Sequence, residues 1–429
     1  MNKSPINIIN SNLQSLKKDK RFHHILDKLP YVLDILKNKN PEYEFDLQQH
    51  VMQYWENNKN QFIAAKQKLD SKNITKLIVI ADGESYLLTK ALYQAFYNSN
   101  NTNKPEIELI FTQGNISPEE LVMQLQNCGD ELFAINYISK SGISLESAIS
   151  FREFRKKLLD NIKKAGLDPI TAVDLIYITT DSHENTLTKM VDLQKYTLFQ
   201  MTSELPARFS SIFEATTLFP LYISGVNISE ILSSYLDMYQ NLITQEVENN
   251  QILLNAAYLC YLNKYMNKNI LEFIVNDEIL LSFSEYIKDL TNTTINRNQK
   301  GYTSYNEIYD TSFDTKDDFT VKFLINQVKD NVKVNIDIDL QHYDVLNFLG
   351  KRHEINIEDD LLEENNNQID LSVFDIVLQY NDFSEKTLAA LVLTLQGIII
   401  TLGFLEEIDP FTQPGVEVYK RNLYNLIIK

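Results

Sequence analysis

Serine hydroxyls cluster where a β-rich apolar run gives way to an amphipathic helix. The run FAINYI ends at Ile138, and Ser139, Ser141 and Ser144 follow before the helical pattern begins. A helix N-terminus carries unpaired N–H groups and the positive end of the helix dipole. Hydroxyls and free amides together suit an anion, most naturally a phosphate. The same serines also suit simple capping of the helix, so both interpretations stand at this point.

The elements around these serines alternate between strands and helices. Five short apolar runs are each typical of a buried strand: Lys76–Ala81, Glu106–Thr112, Leu132–Ile138, Asp174–Thr180 and Tyr196–Met201. This alternation predicts an α/β fold with a doubly wound parallel sheet. Ligands of such sheets bind beyond the carboxyl ends of the strands. Gly83–Ser85 and Ser139–Ser144 both fall at that edge.

The rest of the chain predicts helices at the N-terminus and a second α/β set. Residues 1–70 show helical spacing, and Arg208–Val226 and Ile228–Lys268 are each interpreted as a helix. The second set of predicted strands comprises Ile270–Asn276, Thr320–Ile325, Val332–Ile338 and Val373–Tyr380. Helices are predicted over Ile279–Leu290 and Ser384–Leu402.

Composition excludes several classes of function. A chain of 429 residues is long enough for two domains, and its net charge of -18 argues against nucleic acid or an anionic membrane as a partner. Cys128 and Cys260 are the only cysteines, so neither a disulfide framework nor a cysteine-based metal site is expected. The longest apolar run, Leu388–Leu405, is interrupted by polar residues, and the N-terminus has no signal-peptide pattern. We therefore expect a cytoplasmic protein that holds no metal and does not associate with membranes.

From about residue 48 onward, the chain resembles the glucose-6-phosphate isomerase family. Four segments in the family's order carry the resemblance: ISKSGISLESAISFR, Ala207–Ser210 with the following LFPLYISGVNISEIL, Ser284–Gly301, and DPFTQPGVEVYKRN at Asp409–Asn422. One such match would be weak, but four in order are specific. The resemblance implies two SIS-type (sugar isomerase) α/β domains, each a parallel sheet sandwiched by helices, in a homodimer that binds a sugar phosphate without a cofactor.

The resemblance also implies a division of the chain and a reaction. We expect an N-terminal helical segment (1–70), two SIS-type domains (71–210 and 211–408), and a C-terminal turn and helix (409–429) that packs back on the site. The implied reaction interconverts glucose-6-phosphate and fructose-6-phosphate, a step of glycolysis and gluconeogenesis. This isomerisation needs a base over two carbons, a cation for the enediolate oxygen, a ring-opening acid–base pair and phosphate donors.

Part of the family's site carries over to this sequence. The resemblance assigns phosphate or sugar binding to Ser85, Ser139, Lys140, Ser141, Ser144 and Gln413. Arg208 matches the arginine near the enediolate, and Lys420 matches the lysine associated with ring opening. For both, a site role competes with the simpler interpretation of a surface ion pair or a solvated helix face.

The other half of the site departs from the family. The family's base lies in a Gly-Glu-Ser-Glu/Asn-Gly-Lys segment, and the same register here gives Asn292–Arg297, with Thr293 at the base position. The family's ring-opening histidine, which dimerisation delivers to the partner's site, corresponds to Asp314. A threonine hydroxyl has too high a pKa to replace a carboxylate base. The sequence therefore predicts weak or absent isomerase activity.

Two backbone positions also differ from the family. Its Gly-Gly-Ser turn reads Gly83-Glu84-Ser85, and its Gly-Gly before the arginine reads Pro206-Ala207. Glu84 adds bulk, and proline lacks an N–H donor.

Three hypotheses remain open from the sequence. An active isomerase would need a displaced carboxylate, for which the candidates are Glu84, Glu146, Glu204 and Asp314. A silent relative would keep the fold and the sugar-phosphate pocket as a sensor or scaffold. A different sugar isomerase with another base is the third hypothesis, and no motif supports it.

Overall fold

The computed structural model describes residues 5–37, 46–98, 104–113, 117–140, 142, 144–181, 183–202, 205–297, 300–309, 318–328 and 371–412. The described N-terminal part of the chain contains one strand and four helices: β1 (Ile6–Ile9), α1 (Leu13–Leu16), α2 (Lys20–Leu26), α3 (Leu29–Leu36) and α4 (Leu47–Ser71). The first α/β set follows: β2 (Lys76–Ala81), α5 (Gly83–Asn98), β3 (Glu108–Gln113), α6 (Pro118–Asn127), β4 (Ala134–Ile138), α7 (Leu145–Lys164), β5 (Ile176–Asp181), α8 (Thr186–Gln194) and β6 (Thr197–Met201).

The remaining described elements connect to the second α/β set. They are α9 (Ala207–Ser210), α10 (Ala215–Ser224), α11 (Ile228–Thr244), α12 (Gln251–Met266), β7 (Ile270–Val275), α13 (Leu281–Ile295), β8 (Thr303–Ile308), β9 (Thr320–Gln327), β10 (Ile376–Tyr380) and α14 (Glu385–Leu405). Short 3-10 helices lie at Pro169–Asp174, Ser211–Phe213, Val247–Asn249, Glu278–Leu280 and Leu371–Val373.

The first sheet has the order β3-β2-β4-β5-β6, and all of its strand pairs are parallel. Consecutive residues of β2 and β4 are buried, so helices cover both faces, as the apolar runs predicted. After β2 the chain adds β3 on one side, and then β4 on the other. This reversal between β2 and β4 is the topological switch point at which doubly wound sheets bind ligands.

The second sheet has the order β1-β10-β9-β7-β8. Its pairs are parallel except for β1, which runs antiparallel to β10 with Ile6 opposite Tyr380. The prediction of helix throughout residues 1–70 is therefore wrong at Ile6–Ile9, where a short β-branched run pairs with an open sheet edge. The α/β class with two parallel sheets is confirmed, whereas the predicted strand Val332–Ile338 lies outside the described residues.

Two long predicted helices are divided in the structure. The predicted helix Ile228–Lys268 is two helices, because Asn250 caps a new one through a hydrogen bond from the Leu253 N–H to its side chain (3.3 Å). The predicted helix Arg208–Val226 breaks at Glu214, whose backbone is extended with φ −122° and ψ 168°.

Helix α14 is long and apolar enough to cross a membrane by those two criteria alone. It is a core helix, because 89% of its most apolar 18-residue window is buried inside the protein. It packs against α11, α12 and α13. Helix α4 packs through Phe62, whose ring centroid lies 4.9 Å from that of Phe199 in β6 and 5.4 Å from that of Phe219 in α10.

Candidate functional site

Two helix N-termini flank the switch point of the first sheet. Helix α5 begins at Gly83, directly after β2, and α7 begins at Leu145, shortly after β4. Gly83 has a φ of +57°, a left-handed conformation that glycine adopts without strain. Because β2 and β4 are paired neighbours, the free N–H groups of both helices lie at one edge of the sheet. This edge has the geometry of an anion site.

Ser139 shapes the turn that leaves β4. Its side chain is buried, and its Oγ accepts a hydrogen bond from the Gly142 N–H at 3.2 Å. Gly142 has a φ of +68°, and a Cβ there would lie 3.2 Å from both Asn185 Oδ1 and Leu187 Cγ. Glycine is therefore required at this turn both by its backbone conformation and by the closeness of α8.

Ser144 is the N-cap residue of α7, but its side chain makes no capping hydrogen bond. The residue is half-buried at the edge of the sheet. By contrast, Ser117 caps α6 through its Oγ, which accepts a hydrogen bond from the Glu120 N–H at 3.1 Å. Capping by the side chain therefore does not account for Ser144 at this position.

Lys140 links this turn to the chain beyond β6. Its Nζ donates to the main-chain oxygen of Leu205 at 2.8 Å, and the residue is half-buried. Leu205 lies three residues before Arg208 in the chain. The Lys140 side chain therefore connects the turn after β4, which contains Ser139, to the segment that leads from Leu205 to Arg208.

Arg208 is fully buried. Its Nη2 donates to the main-chain oxygens of Pro410 (2.5 Å) and Thr412 (3.2 Å). Its own main-chain oxygen accepts hydrogen bonds from Gln396 Nε2 (3.0 Å) and Tyr286 Oη (3.3 Å). Arg208 therefore fixes the turn that follows α14 while α13 and α14 fix Arg208.

Thr293 lies in the last turn of α13 and is half-buried. Its Oγ1 donates back to the main-chain oxygen of Asp289 at 2.8 Å, a common bond of threonine within helices. The hydroxyl of Thr293, which the resemblance predicts at the position of the family's base, is therefore engaged by its own helix.

The other predicted site residues fall beyond what the structure describes. Ser141, Asp314, Gln413 and Lys420 lie outside the described residues, and so does the side chain of Ser85, whose backbone is in α5. Among the displaced carboxylates, Glu146 is exposed in the first turn of α7. Glu204 and the side chain of Glu84 also lie outside the described part of the chain.

Arg297 lies two residues beyond the end of α13. The sequence assigned it no role of its own, only membership of the segment Asn292–Arg297. Its Nη2 donates to the main-chain oxygens of Thr293 (2.9 Å) and Thr412, and its Nη1 donates to Thr412 Oγ1 (3.0 Å) and to the main-chain oxygen of Asp409 (3.2 Å). Burial lowers the pKa of Arg297, with Asp409 acting in the opposite direction, and a guanidinium stays charged in proteins. Arg297 and Arg208 therefore meet at the carbonyl of Thr412.

Glu214 is a buried carboxylate that sequence reasoning missed. Its Oε1 accepts a hydrogen bond from the Thr202 N–H at 2.8 Å and lies 3.6 Å from His50 Nε2. Burial raises the pKa of Glu214, while His50, the Thr202 N–H and Lys140 act in the opposite direction. The sequence does contain a signal for this residue, because Glu214 is a charged residue inside a largely apolar stretch.

The described residues contain no group of three or more His, Cys, Asp or Glu side chains placed to hold a metal ion. Both cysteines are buried and unpaired by disulfides.

Comparison with known proteins shows similarity along most of the chain. The glucose-6-phosphate isomerase of Mycoplasmopsis synoviae is 30% identical over 384 residues, covering 87% of each chain. That of Mycoplasma mycoides is 30% identical over 391 residues, covering 87% of this chain and 89% of the relative. A crystal structure of a glucose-6-phosphate isomerase from Chlamydia trachomatis superposes with a TM-score of 0.70 at 15% identity, covering 99% of this chain and 88% of the other. No model of a known protein family matches the chain.

Proposed function

The chain belongs to the glucose-6-phosphate isomerase family, and we propose that it binds a hexose 6-phosphate but isomerises it very slowly or not at all. The observation that carries the proposal is at Thr293, whose hydroxyl donates to the main-chain oxygen of Asp289 at 2.8 Å. The proposal takes this residue to stand where the family's base would act.

Binding is supported by the edge of the first sheet. The N-termini of α5 and α7 offer free N–H groups and the positive ends of two helix dipoles. Ser144 adds a hydroxyl that does not cap its helix, and Lys140 adds a cation. In a chain of net charge -18, such local donors are what an anionic ligand needs. We propose that they hold the phosphate group, together with Ser85, Ser139 and Ser141.

The sugar end of the ligand would face the second group of residues. Arg208 and Arg297 supply positive charge around the turn Asp409–Thr412, and Gln413 follows this turn directly in the sequence. We propose that Arg208, Gln413 and Lys420 face the sugar. A cation can stabilise an enediolate oxygen, but an enediolate forms only when a base removes the proton from carbon.

Loss of the acid–base groups accounts for the proposed low rate. A missing general acid or base costs on the order of a hundred- to ten-thousand-fold in rate. With Thr293 and Asp314 at the positions of the base and the ring-opening histidine, both groups are changed. An active isomerase would have to recruit another carboxylate, and Glu146 is exposed on α7. A purely sensing or scaffolding role is the alternative, and a complete absence of turnover with intact binding would favour it.

The proposal also covers the organisation of the chain. We propose an N-terminal segment (1–70) that is helical apart from the strand Ile6–Ile9, two SIS-type domains (71–210 and 211–408) and a C-terminal segment (409–429) that completes the site. The bonds from Arg208 and Arg297 to residues 409–412 support this last point. By likeness to the family we further propose a cytoplasmic homodimer that acts in sugar-phosphate metabolism.

Titration calorimetry of the full-length protein with fructose-6-phosphate tests the binding half of the proposal. We expect saturable one-site binding that inorganic phosphate competes for. No heat of binding at millimolar fructose-6-phosphate would overturn it and leave a scaffold as the remaining role.

A further inference from the structure

The turn Asp409–Thr412 is held at two places by different kinds of contact. Its inner part is anchored by apolar packing, because the ring of Phe411 lies 5.6 Å from that of Phe209 and 6.0 Å from that of Phe404. Pro410 is buried, and a Cβ on Gly403 of α14 would come within 3.2 Å of the Pro410 Cβ. This packing fixes residues 410 and 411, but it does not reach Thr412.

Thr412 is exposed. Among the described residues, the side chains that bind Thr412 do so through hydrogen bonds. Arg297 donates to both its main-chain oxygen and its Oγ1, and Arg208 donates to the same main-chain oxygen at 3.2 Å. Arg297 also donates to the main-chain oxygens of Thr293 and Asp409. Its planar guanidinium therefore ties the C-terminal end of α13 to both ends of the turn. A lysine ammonium cannot make this pattern, because its donors do not form a flat fork.

We infer that Arg297 is a positioning residue for the sugar end of the site. Arg208, which we place at the sugar end, donates to the same main-chain oxygen of Thr412 as Arg297, so fixing Thr412 also fixes an acceptor that holds Arg208. Arg297 thus joins the segment at the base position to the C-terminal segment. The inference rests on the proposed function, since it concerns the sugar end of the same hexose-phosphate site. It assigns Arg297 no direct contact with the ligand.

The inference separates two ligand probes. Inorganic phosphate needs only the edge of the first sheet, whereas fructose-6-phosphate also needs the sugar end. In Arg297→Ala we expect the affinity for fructose-6-phosphate to fall at least tenfold, and the affinity for inorganic phosphate to stay within twofold. Charge-assisted hydrogen bonds are strong enough to produce an effect of this size. Arg297→Lys should recover part of the loss, because one ammonium can still donate to Thr412.

Hydrogen–deuterium exchange provides a readout that needs no ligand. The amides of Asp409, Phe411 and Thr412 should exchange faster in Arg297→Ala than in wild type, and Pro410 has no amide hydrogen to follow. Arg155→Ala is the matched control, since its half-buried guanidinium also donates to neutral side-chain oxygens, those of Tyr196 (2.9 Å) and Gln194 (3.2 Å). That variant should change neither the exchange of residues 409–412 nor the binding of fructose-6-phosphate.

The outcomes distinguish the inference from the proposed function. Unchanged exchange at residues 409–412 in Arg297→Ala overturns the inference whatever the ligand data show. Faster exchange with an unaltered affinity for fructose-6-phosphate also overturns it, because the turn would then not serve the sugar end. If wild type binds inorganic phosphate but not fructose-6-phosphate, the proposed function fails, and with it the positioning role for the sugar end. Faster exchange would then support the tie between Arg297 and the turn alone.

Discussion

The side-chain amide of Gln396 donates a hydrogen bond to the main-chain oxygen of Arg208 across 3.0 Å, and both residues are buried. The same Nε2 donates to Tyr286 Oη at 2.9 Å, and Tyr235 Oη donates to Gln396 Oε1 at 2.8 Å. Helices α11, α13 and α14 therefore meet in one polar network around Arg208. A buried network of this kind stabilises one arrangement when all its members are satisfied.

Replacing Gln396 with leucine should destabilise the protein by about 1–3 kcal/mol, because buried polar groups would lose partners. Urea denaturation of wild type and of Gln396→Leu measures this difference in the free energy of unfolding. Gln61→Leu is the matched control, since Gln61 Nε2 also donates to a main-chain oxygen, that of Leu198 at 3.0 Å, but at an exposed site. If Gln396→Leu loses no more free energy of unfolding than Gln61→Leu, the buried network contributes little to stability.

Replacing Ser144 with alanine should weaken ligand binding, whereas replacing Ser117 with alanine should lower the stability of the protein. Ser144→Ala removes a hydroxyl that makes no capping bond, so the free energy of unfolding should change by less than about 0.5 kcal/mol, while fructose-6-phosphate binding should weaken about tenfold. Ser117→Ala removes a true cap and should cost about 1 kcal/mol without affecting the ligand. Calorimetric titration and urea denaturation of both variants provide the comparison. Equal affinities in Ser144→Ala and wild type would remove Ser144 from the proposed phosphate site.

Gly301 and Gly166 share a left-handed backbone but differ in the space around them. Gly301 has a φ of +73°, and a Cβ there would lie 2.1 Å from the main-chain oxygen of Ile295. Gly166 has a φ of +69°, and no atom lies within 4 Å of its would-be Cβ. Alanine should therefore cost about 1–2 kcal/mol at Gly166, and at least about 3 kcal/mol at Gly301. Thermal unfolding of the two variants measures the difference, and similar costs at both positions would contradict the close contact.

Glu214 should make the stability of the protein depend on pH. Burial raises its folded-state pKa, so its neutral form is favoured in the folded state. The contribution to stability is then fully present below the unfolded pKa and is lost as pH rises through the folded value. In Glu214→Gln the bond from the Thr202 N–H can be kept and this loss disappears. Hence the variant should gain melting temperature relative to wild type, with a larger gain at pH 8 than at pH 4.5.

A control separates this effect from general charge removal. Glu153 is exposed on α7, and Glu153→Gln should leave the pH dependence of melting unchanged. A gain in Glu214→Gln that is the same at both pH values would mean that Glu214 does not titrate as its burial implies.

Much of the fold was predictable because its determinants are local. The strand Lys76–Ala81 has the bounds expected from the sequence, since a continuous apolar run marks it. Strand β8 was missed because Thr303–Ile308 is a half-exposed edge strand with a polar sequence. Strand β1 was missed because the residue that pairs with Ile6, Tyr380, is far away in the chain.

The sequence predicted site residues only where they belong to a recognisable motif. Ser139 and Ser144 follow a recognisable strand and lie at the expected edge. Arg297 could not be assigned a role from its position, because its acceptors Asp409 and Thr412 lie more than a hundred residues further on. Glu214 was hidden for a similar reason, since its neighbour His50 belongs to the N-terminal helix α4, more than a hundred residues earlier in the chain.

We propose that this member of the family holds a hexose 6-phosphate without an effective base. The most direct measurement is turnover of saturating fructose-6-phosphate by purified wild type in a coupled assay. We expect a rate at least about a hundredfold below that of an ordinary family member assayed in parallel. A rate within roughly tenfold of that member would contradict it and would mean that another carboxylate serves as the base.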